Sequence, residues 1–375
     1  MEIQDLFARN KMIKLPEGQN FSLEKYFDFI QDNIDDIMAN RQTLKVAFFI
    51  TEFNDFGEVI QMFRRYNAIF QQYGDILEIT LPYEYFDKKY NKMCLHAYFK
   101  KEEKLLILFS VGDSTEFKEI DKIVNNTRGI YYLWISPKSF DEVKNHILSH
   151  HPDSKIPEFW AKRSLIDKHE CNIRPGYDRT FHYFGDDGRD TIEELKYYYG
   201  VLPTSIKFKI PEKITFLVTN KGKFTLESKR KDSLPYLFEI MEIVLKEALS
   251  IRGIIKECKF DIGIITTAKK EIKVPIIESG TINLTNPINA KYVEALIKEL
   301  RSEEKFVITD KILAEGSLLF SATLIDESKK TIFDISARTN SITLVPKFNP
   351  SFDSLFRFYR FIVENIDSEA ELIKS

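Results

Sequence analysis

The strongest constraint on this chain is the continuous apolar run LKVAFFI at 44–50, the pattern expected of a strand buried on both of its faces. KLLILF at 104–109 and IYYLWIS at 130–136 read the same way, and ILEITL at 76–81 and LHAYF at 95–99 add further strands, the KKEE between two of them suiting a hairpin. Helix signals fall between these runs. Leu23, Tyr26, Phe27, Ile30, Ile34, Ile37 and Met38 share one face of a helix over 21–39, with Ser22 or Asn20 to cap it. Asn54 or Asp55 opens a helix running to about Tyr73, Ser114 one to about Asn126, and Pro137 with Ser139 one that stops near His151-Pro152. Strand–helix–strand alternation at this spacing predicts a mixed, mainly parallel sheet with flanking helices, an α/β domain over residues 1–165.

In such a sheet ligands sit beyond the carboxyl ends of the strands, which singles out the loops Thr51–Asp55, Gly112–Thr115 and Ser136–Ser139. VGDST carries a glycine, two hydroxyls and a helix start suited to an anion, but no GKS, GKT or GxGxxG occurs in the chain, and helix capping alone accounts for it. PYEYFDKKYNK, 82–92, interleaves four aromatic residues with three lysines; stacking on bases is one reading and anchoring an ordinary loop the preferred one.

From residue 204 the period changes to two. TSIKFKI (204–210) and KITFLVTNKGKFTLES (213–228) alternate as antiparallel strands about an Asn-Lys-Gly turn. A helix over 234–252 ended by Gly253, further strands, a helix near 290–302, a strand-rich section from Phe306 to Val345 and a last helix near 353–366 complete an α+β domain, 204–375. The expected fold class is thus α/β followed by α+β, the second part an antiparallel sheet with packed helices, and 166–203 is a charged and aromatic connection.

Composition narrows the classes. With 54 Lys and Arg against 57 Asp and Glu, a net charge of −3 excludes a globally basic binder while allowing a local patch. Cys94, Cys171 and Cys258 are far apart, odd in number and form no CxxC pair, which argues against a zinc site or a disulfide framework. MEIQDLFARNK has no hydrophobic leader and no long apolar run follows, so a cytoplasmic protein without a membrane span is expected.

Two stretches carry candidate chemistry. RPGYDRTFHYFGDDGRDTIEELKYYYG, 174–200, holds Arg174, Asp178, Arg179, His182, Asp186 and Asp187 before a short helix over 191–199 with Gly200 beyond its end. Asp178, His182, Asp186 and Asp187 are catalytic candidates: carboxylates hold a divalent cation, the one cofactor suggested here, and a histidine moves protons. Adjacent Asp186 and Asp187 do not fit the alternate spacing of an EF-hand loop, and a loop held by Arg–Asp pairs and helix capping is the competing reading. The second stretch, 205–231, sets eight cations against two acids. Arg174, Arg179, Lys207, Lys209, Lys221, Lys223, Lys229 and Arg230 are the phosphate-binding candidates, weighed against lysines that merely protect a sheet edge. Asp261 with Glu271-Ile272-Lys273 loosely matches a carboxylate–lysine nuclease, a spacing that chance supplies often. The leading expectation is a cytosolic nucleic-acid-binding or nucleic-acid-processing accessory protein. The alternatives are a metal-dependent hydrolase or phosphodiesterase, and a non-catalytic scaffold or sensor that docks a protein partner.

Overall fold

The structure is a computed structural model that describes residues 12–38, 43–85, 88–111, 114–163, 173, 178–227, 232–266, 271–288, 290–302, 306–315 and 318–374. Helices α1 (Leu23–Asp32) and α2 (Ile34–Ile37) precede β1 (Leu44–Thr51), α3 (Phe56–Arg64), β2 (Ile69–Tyr73), β3 (Ile76–Tyr85), β4 (Lys88–Lys100) and β5 (Leu105–Ser110). Next come α4 (Ser114–Asn126), β6 (Ile130–Tyr132), α5 (Pro137–His150), β7 (Lys155–Arg163), β8 (Arg179–Phe184), α6 (Gly188–Tyr199), β9 (Leu202–Ile210), β10 (Ile214–Thr219) and β11 (Lys223–Leu226). The rest is α7 (Ser233–Glu257), β12 (Lys259–Thr266), β13 (Glu271–Glu278), β14 (Gly280–Asn283), α8 (Ala290–Ser302) and β15 (Val307–Glu315). It closes with β16 (Leu318–Asp326), β17 (Thr331–Arg338), β18 (Ser341–Phe348), α9 (Phe352–Asn365) and β19 (Glu371–Lys374).

One sheet of eleven strands runs β2-β3-β4-β5-β1-β11-β10-β9-β7-β8, with β6 paired to β1 beside β11. It takes strands from before residue 165 and after residue 204 alike. Its strand pairs are antiparallel throughout. The parallel contact among the described residues is an isolated bridge between Phe21 and Gly74. The mainly parallel sheet expected for 1–165 is therefore corrected to an antiparallel one. The physical reason is that an apolar run reports burial and not direction. Val46 to Ile50 are fully buried because β1 lies mid-sheet, with β5 on one side and β11 and β6 on the other. The α3 segment does not return the chain beside β1: β2 lands at the sheet's far edge, and short turns then zip β3, β4 and β5 back toward β1, as only antiparallel neighbours allow.

Three local expectations change with it. The helix expected to reach Tyr73 ends at Arg64, where Asn67 turns the chain at φ 59° into edge strand β2. Of the stretch 82–92 expected as a loop, residues 82–85 are the end of strand β3 and residues 88–92 the start of strand β4. Helix α7 continues through Gly253 to Glu257.

Phe48, Phe224, Phe216 and Phe208 form a file of ring contacts across β1, β11, β10 and β9, with neighbouring centroids 5.4, 6.2 and 5.5 Å apart. Phe238 of α7 closes on Phe48 at 5.4 Å and on Phe27 of α1 at 4.8 Å, so α7 and α1 roof this face. Over the other face of β1 and β11 lies α4, through Phe117 and through Asp121, which pairs with Lys223 at 2.6 Å. A second antiparallel sheet, β15-β16-β17-β18-β14-β19, packs on α9 through Phe333 and Phe358, and β12 with β13 forms a separate two-stranded ribbon. None of the described helices is long and apolar enough to cross a membrane.

The second sheet is tied to α4 by Lys329, in the turn between β16 and β17. Its side chain is 4% exposed, donates to Val124 O at 3.0 Å and to Thr127 O at the carboxyl end of α4, and pairs with wholly buried Asp353 at 2.9 Å. Nearby, Arg357 reaches Asp326 at 2.9 Å, and Arg128 donates to the carbonyls of Asn349 and Pro350. Removing one partner of a buried ion pair strands the other, at a cost of about 3–5 kcal/mol. Lys329→Met should lower stability by that amount in chemical denaturation, and adding Asp353→Leu should restore much of it.

A pH dependence follows from Asp326. Burial pushes its carboxyl up, but Arg357 and hydrogen bonds from Ser328, Ser354 and the Lys329 amide outweigh this and hold it below the usual value. The unfolded chain then takes up the proton first, so the contribution is complete above about pH 4 and is lost as pH falls through the lower folded value. Asp326→Asn should destabilise more at neutral pH than near pH 3, which denaturation curves at the two pH values will measure.

Candidate functional site

The far end of the large sheet has one covered face and one open face. On β7, Ile156, Phe159 and Ala161 are buried while Trp160 and Lys162 are exposed; on β9, Ile206, Phe208 and Ile210 are buried and Lys209 is exposed. On β8, Arg179, Phe181 and Tyr183 are half-buried, whereas Thr180, His182 and Phe184 are exposed. Helices α5 and α6 cover the apolar side. The GDDG turn sets α6 down tightly on β7: a Cβ at Gly188 would lie 2.0 Å from the Ile156 carbonyl oxygen, so no other residue fits there without a shift. At the other end Gly200 takes the left-handed conformation, φ 59°, and Arg163 donates to Tyr199 O at 3.0 Å.

Three aromatic rings rise in a file on the open face. Trp160 and His182, opposite one another in the β7–β8 pairing, stack with centroids 3.7 Å apart and planes 18° apart. Phe184 follows at 4.1 Å from His182. Trp160 is 40% exposed and Phe184 66% exposed. Beside the file runs a chain of charge. His182 Nε2 lies 3.1 Å from Glu158, Glu158 lies 3.7 Å from Lys207, and Lys207 pairs with Glu227 at 2.6 Å. Lys155 and Lys209 face one another in the β7–β9 register, an unfavourable placement for like charges. Asp186, 85% exposed, approaches Lys155 at 3.5 Å. A groove of about 350 Å³ continues from the sheet end, lined by Lys162, Thr204, Asn220, Lys221 and, from α9, Arg360 and Glu364.

The residues singled out in the sequence are distributed as follows. Asp178 is exposed just before β8. Arg179 opens β8, donates to Ile173 O at 2.8 Å and lies over the Tyr199 ring at 4.7 Å, on the covered side. His182 belongs to the open aromatic file. Asp187 accepts a hydrogen bond from the Tyr183 hydroxyl, which holds its carboxyl below the usual value, and makes no side-chain cap to α6. Among the described residues, Asp178, His182, Asp186 and Asp187 supply no set of three that brings ligand atoms within 4.8 Å of one another. Lys207 and Lys209 share the open face. Lys221 sits over the Tyr132 ring at 5.6 Å, lining the groove. Lys223 is spent under α4, where burial holds its ammonium below the usual value against the pull of Asp121. Arg174, Lys229 and Arg230 lie outside the described residues. Asp261 pairs across to Ile276 and Glu271 to Thr266, so the two carboxylates stand five positions apart along the β12–β13 ribbon, roughly 17 Å.

Trp160, Phe184, Lys155, Lys162 and Glu158 are the residues of this face that reading the sequence missed. The signal was present in KIPEFWAKR, whose second half alternates buried and exposed positions as a strand does.

Residues 138–221 match the AF_0896_M family middle domain, a span that takes in α5, β7, β8, α6, β9, β10 and the turn after it. An uncharacterized protein of Archaeoglobus fulgidus is 25% identical over 375 residues, covering 96% of this chain and 98% of that one. Both are likenesses of sequence, and neither description carries a function.

Because the Tyr183 hydroxyl is the leading cause of the low Asp187 carboxyl, Tyr183→Phe should move that carboxyl upward toward the ordinary aspartate range. A ¹³C NMR titration of the side-chain carboxylates reads the shift directly.

Proposed function

We propose that the open face of β7, β8 and β9 binds single-stranded nucleic acid, as a non-covalent platform. The observation that carries this reading is the exposed file Trp160–His182–Phe184 on a sheet face edged by Lys155, Lys162 and Lys209. A face that only met water would gain nothing from exposing three adjoining rings, two of them stacked, since apolar area left exposed forgoes the stabilisation of burial. Flat rings on a sheet offer stacking partners to unpaired bases, which a duplex keeps inside its own stack. Lysines at the edge of the file neutralise the phosphates between those bases. The opposed Lys155 and Lys209 fit such a role, because an anion between them would relieve their repulsion.

The charge arrangement also sets the limits of the reading. Lys223 is paired with Asp121 and Lys207 lies 3.7 Å from Glu158, acids from outside 205–231, so the strong positive sign of that segment in the sequence is partly cancelled by the fold. Binding should therefore rest on stacking more than on phosphate contacts.

The test is a titration of the full chain with a fluorescent single-stranded oligonucleotide across a salt series, with a duplex of the same sequence beside it. The single strand should bind more tightly, with affinity falling as salt rises. Trp160→Ala should weaken it by about 5- to 150-fold, the equivalent of about 1–3 kcal/mol for one stacked base. Lys162→Gln and Lys209→Gln should each reduce the log–log salt slope by about 0.7. No binding, binding indifferent to salt, or an unchanged affinity in Trp160→Ala would remove the proposal.

A further inference from the structure

At the other end of the large sheet, β3 and β4 place three metal-ligating side chains together inside the protein. Glu78 stands directly opposite His96 in the register, and Thr80 opposite Cys94. Since side chains two apart on a strand point to the same face, Cys94, His96 and Glu78 share one side of the pair. Their ligand atoms lie within 4.8 Å of one another, and among the described residues this is the set of three histidine, cysteine or acidic groups for which that holds.

The surroundings are those of a core. His96 is wholly buried, and the Tyr26 ring of α1 and Phe109 of β5 lie against one another above it at 5.0 Å. Its Nδ1 is engaged by the Tyr26 hydroxyl at 2.9 Å. Its Nε2 has no hydrogen-bond partner, and the nearest oxygen of Glu78 lies 3.7 Å away, beyond hydrogen-bond length. Among the described residues, the same Glu78 oxygen accepts a hydrogen bond from the Leu15 amide alone, at 3.3 Å. An unmatched imidazole nitrogen facing a nearly dry carboxylate is costly, and apolar residues on these strands would pack more stably than such a trio.

We infer that Glu78, Cys94 and His96 form a binding site for a divalent transition-metal ion of the zinc class, with Tyr26 as the group that orients the histidine. Zinc is held by carboxylate oxygen at about 2.0–2.2 Å, imidazole nitrogen at about 2.0–2.1 Å and thiolate sulfur at about 2.3 Å, so tetrahedral donors sit about 3.4–3.6 Å apart. The 3.7 Å between Glu78 and His96 is already close to that separation, and side-chain rotation brings the third donor in. A ligating histidine with its other nitrogen fixed by a hydrogen bond is the usual arrangement around such ions. The ion satisfies the open Nε2 and neutralises the buried carboxylate, and three protein donors leave one position to a small exogenous ligand. The absence of a CxxC pair had argued against zinc; on strands, the C-x-H spacing of Cys94 and His96 with a cross-strand acid does the same geometric work.

The full chain, stripped by a chelator, is titrated with Co²⁺. The expected result is one equivalent bound, a thiolate-to-cobalt charge-transfer band in the near ultraviolet, and displacement of the band by Zn²⁺. Cys94→Ser should abolish the band, while Cys171→Ser with Cys258→Ser should keep it. In competition with a chromophoric chelator, His96→Gln should lower Zn²⁺ affinity by at least about tenfold. Should Cys94→Ser fail to fold, the wild-type spectrum and the Cys171→Ser/Cys258→Ser variant decide the matter. Absence of the band from wild type, its loss with the other two cysteines, or its survival in a folded Cys94→Ser would overturn the site.

Discussion

The burial of one ammonium group organises the architecture. Lys329 leaves a turn of the second sheet and ends among the last carbonyls of α4, with Asp353 beside it. A cation at the carboxyl end of a helix is favoured by the helix dipole, and inside the protein it also has to be matched by acceptors and an opposite charge. Because α4 is gripped in this way from the C-terminal half, it stays pressed on β1 and β11, where Phe117 and Asp121 take up Lys45 and Lys223. The position of α4 decides where the cover on that face of the large sheet stops. Beyond it the outward side chains of β9, β7 and β8 meet solvent.

Two environments result within one sheet, and polar groups behave differently in each. Under α1, water is excluded, and the imidazole of His96 and the carboxylate of Glu78 cannot be left to themselves without cost. On the open face, water screens every charge, so His182, Glu158, Lys207 and Glu227 form a lateral chain of modest pairs around an aromatic file. The first setting favours a ligand that supplies fixed charge, the second one that supplies flat rings and diffuse negative charge. Each follows from dielectric surroundings as much as from residue type.

Much of the local structure was legible from the residues. The apolar run at 44–50, the hairpin of 95–99 with 104–109, the Asn-Lys-Gly turn, and Gly200 as the residue ending α6 all depend on short-range pattern or backbone conformation, and all are present. Strand direction was not legible, because a strand covered on both faces has the same composition whichever way its neighbours run. Nor was the fate of the lysines of 205–231: Lys223 is met by Asp121 of α4, 102 residues away in the chain, and Lys207 by Glu158 of β7 as well as by Glu227 of its own segment.

By itself, then, the sequence determined most of the central strands and the helix starts and which faces of them are apolar, since periodicity and capping act within a few residues, but not the outer strands β2, β7 and β8. Tertiary structure alone decided the antiparallel order, the pairing of the charges, the exposure of Trp160 beside His182, and the meeting of Glu78 with Cys94 and His96. Those depend on contacts between segments distant in the chain, and a pairing register fixes them only once the sheet has closed.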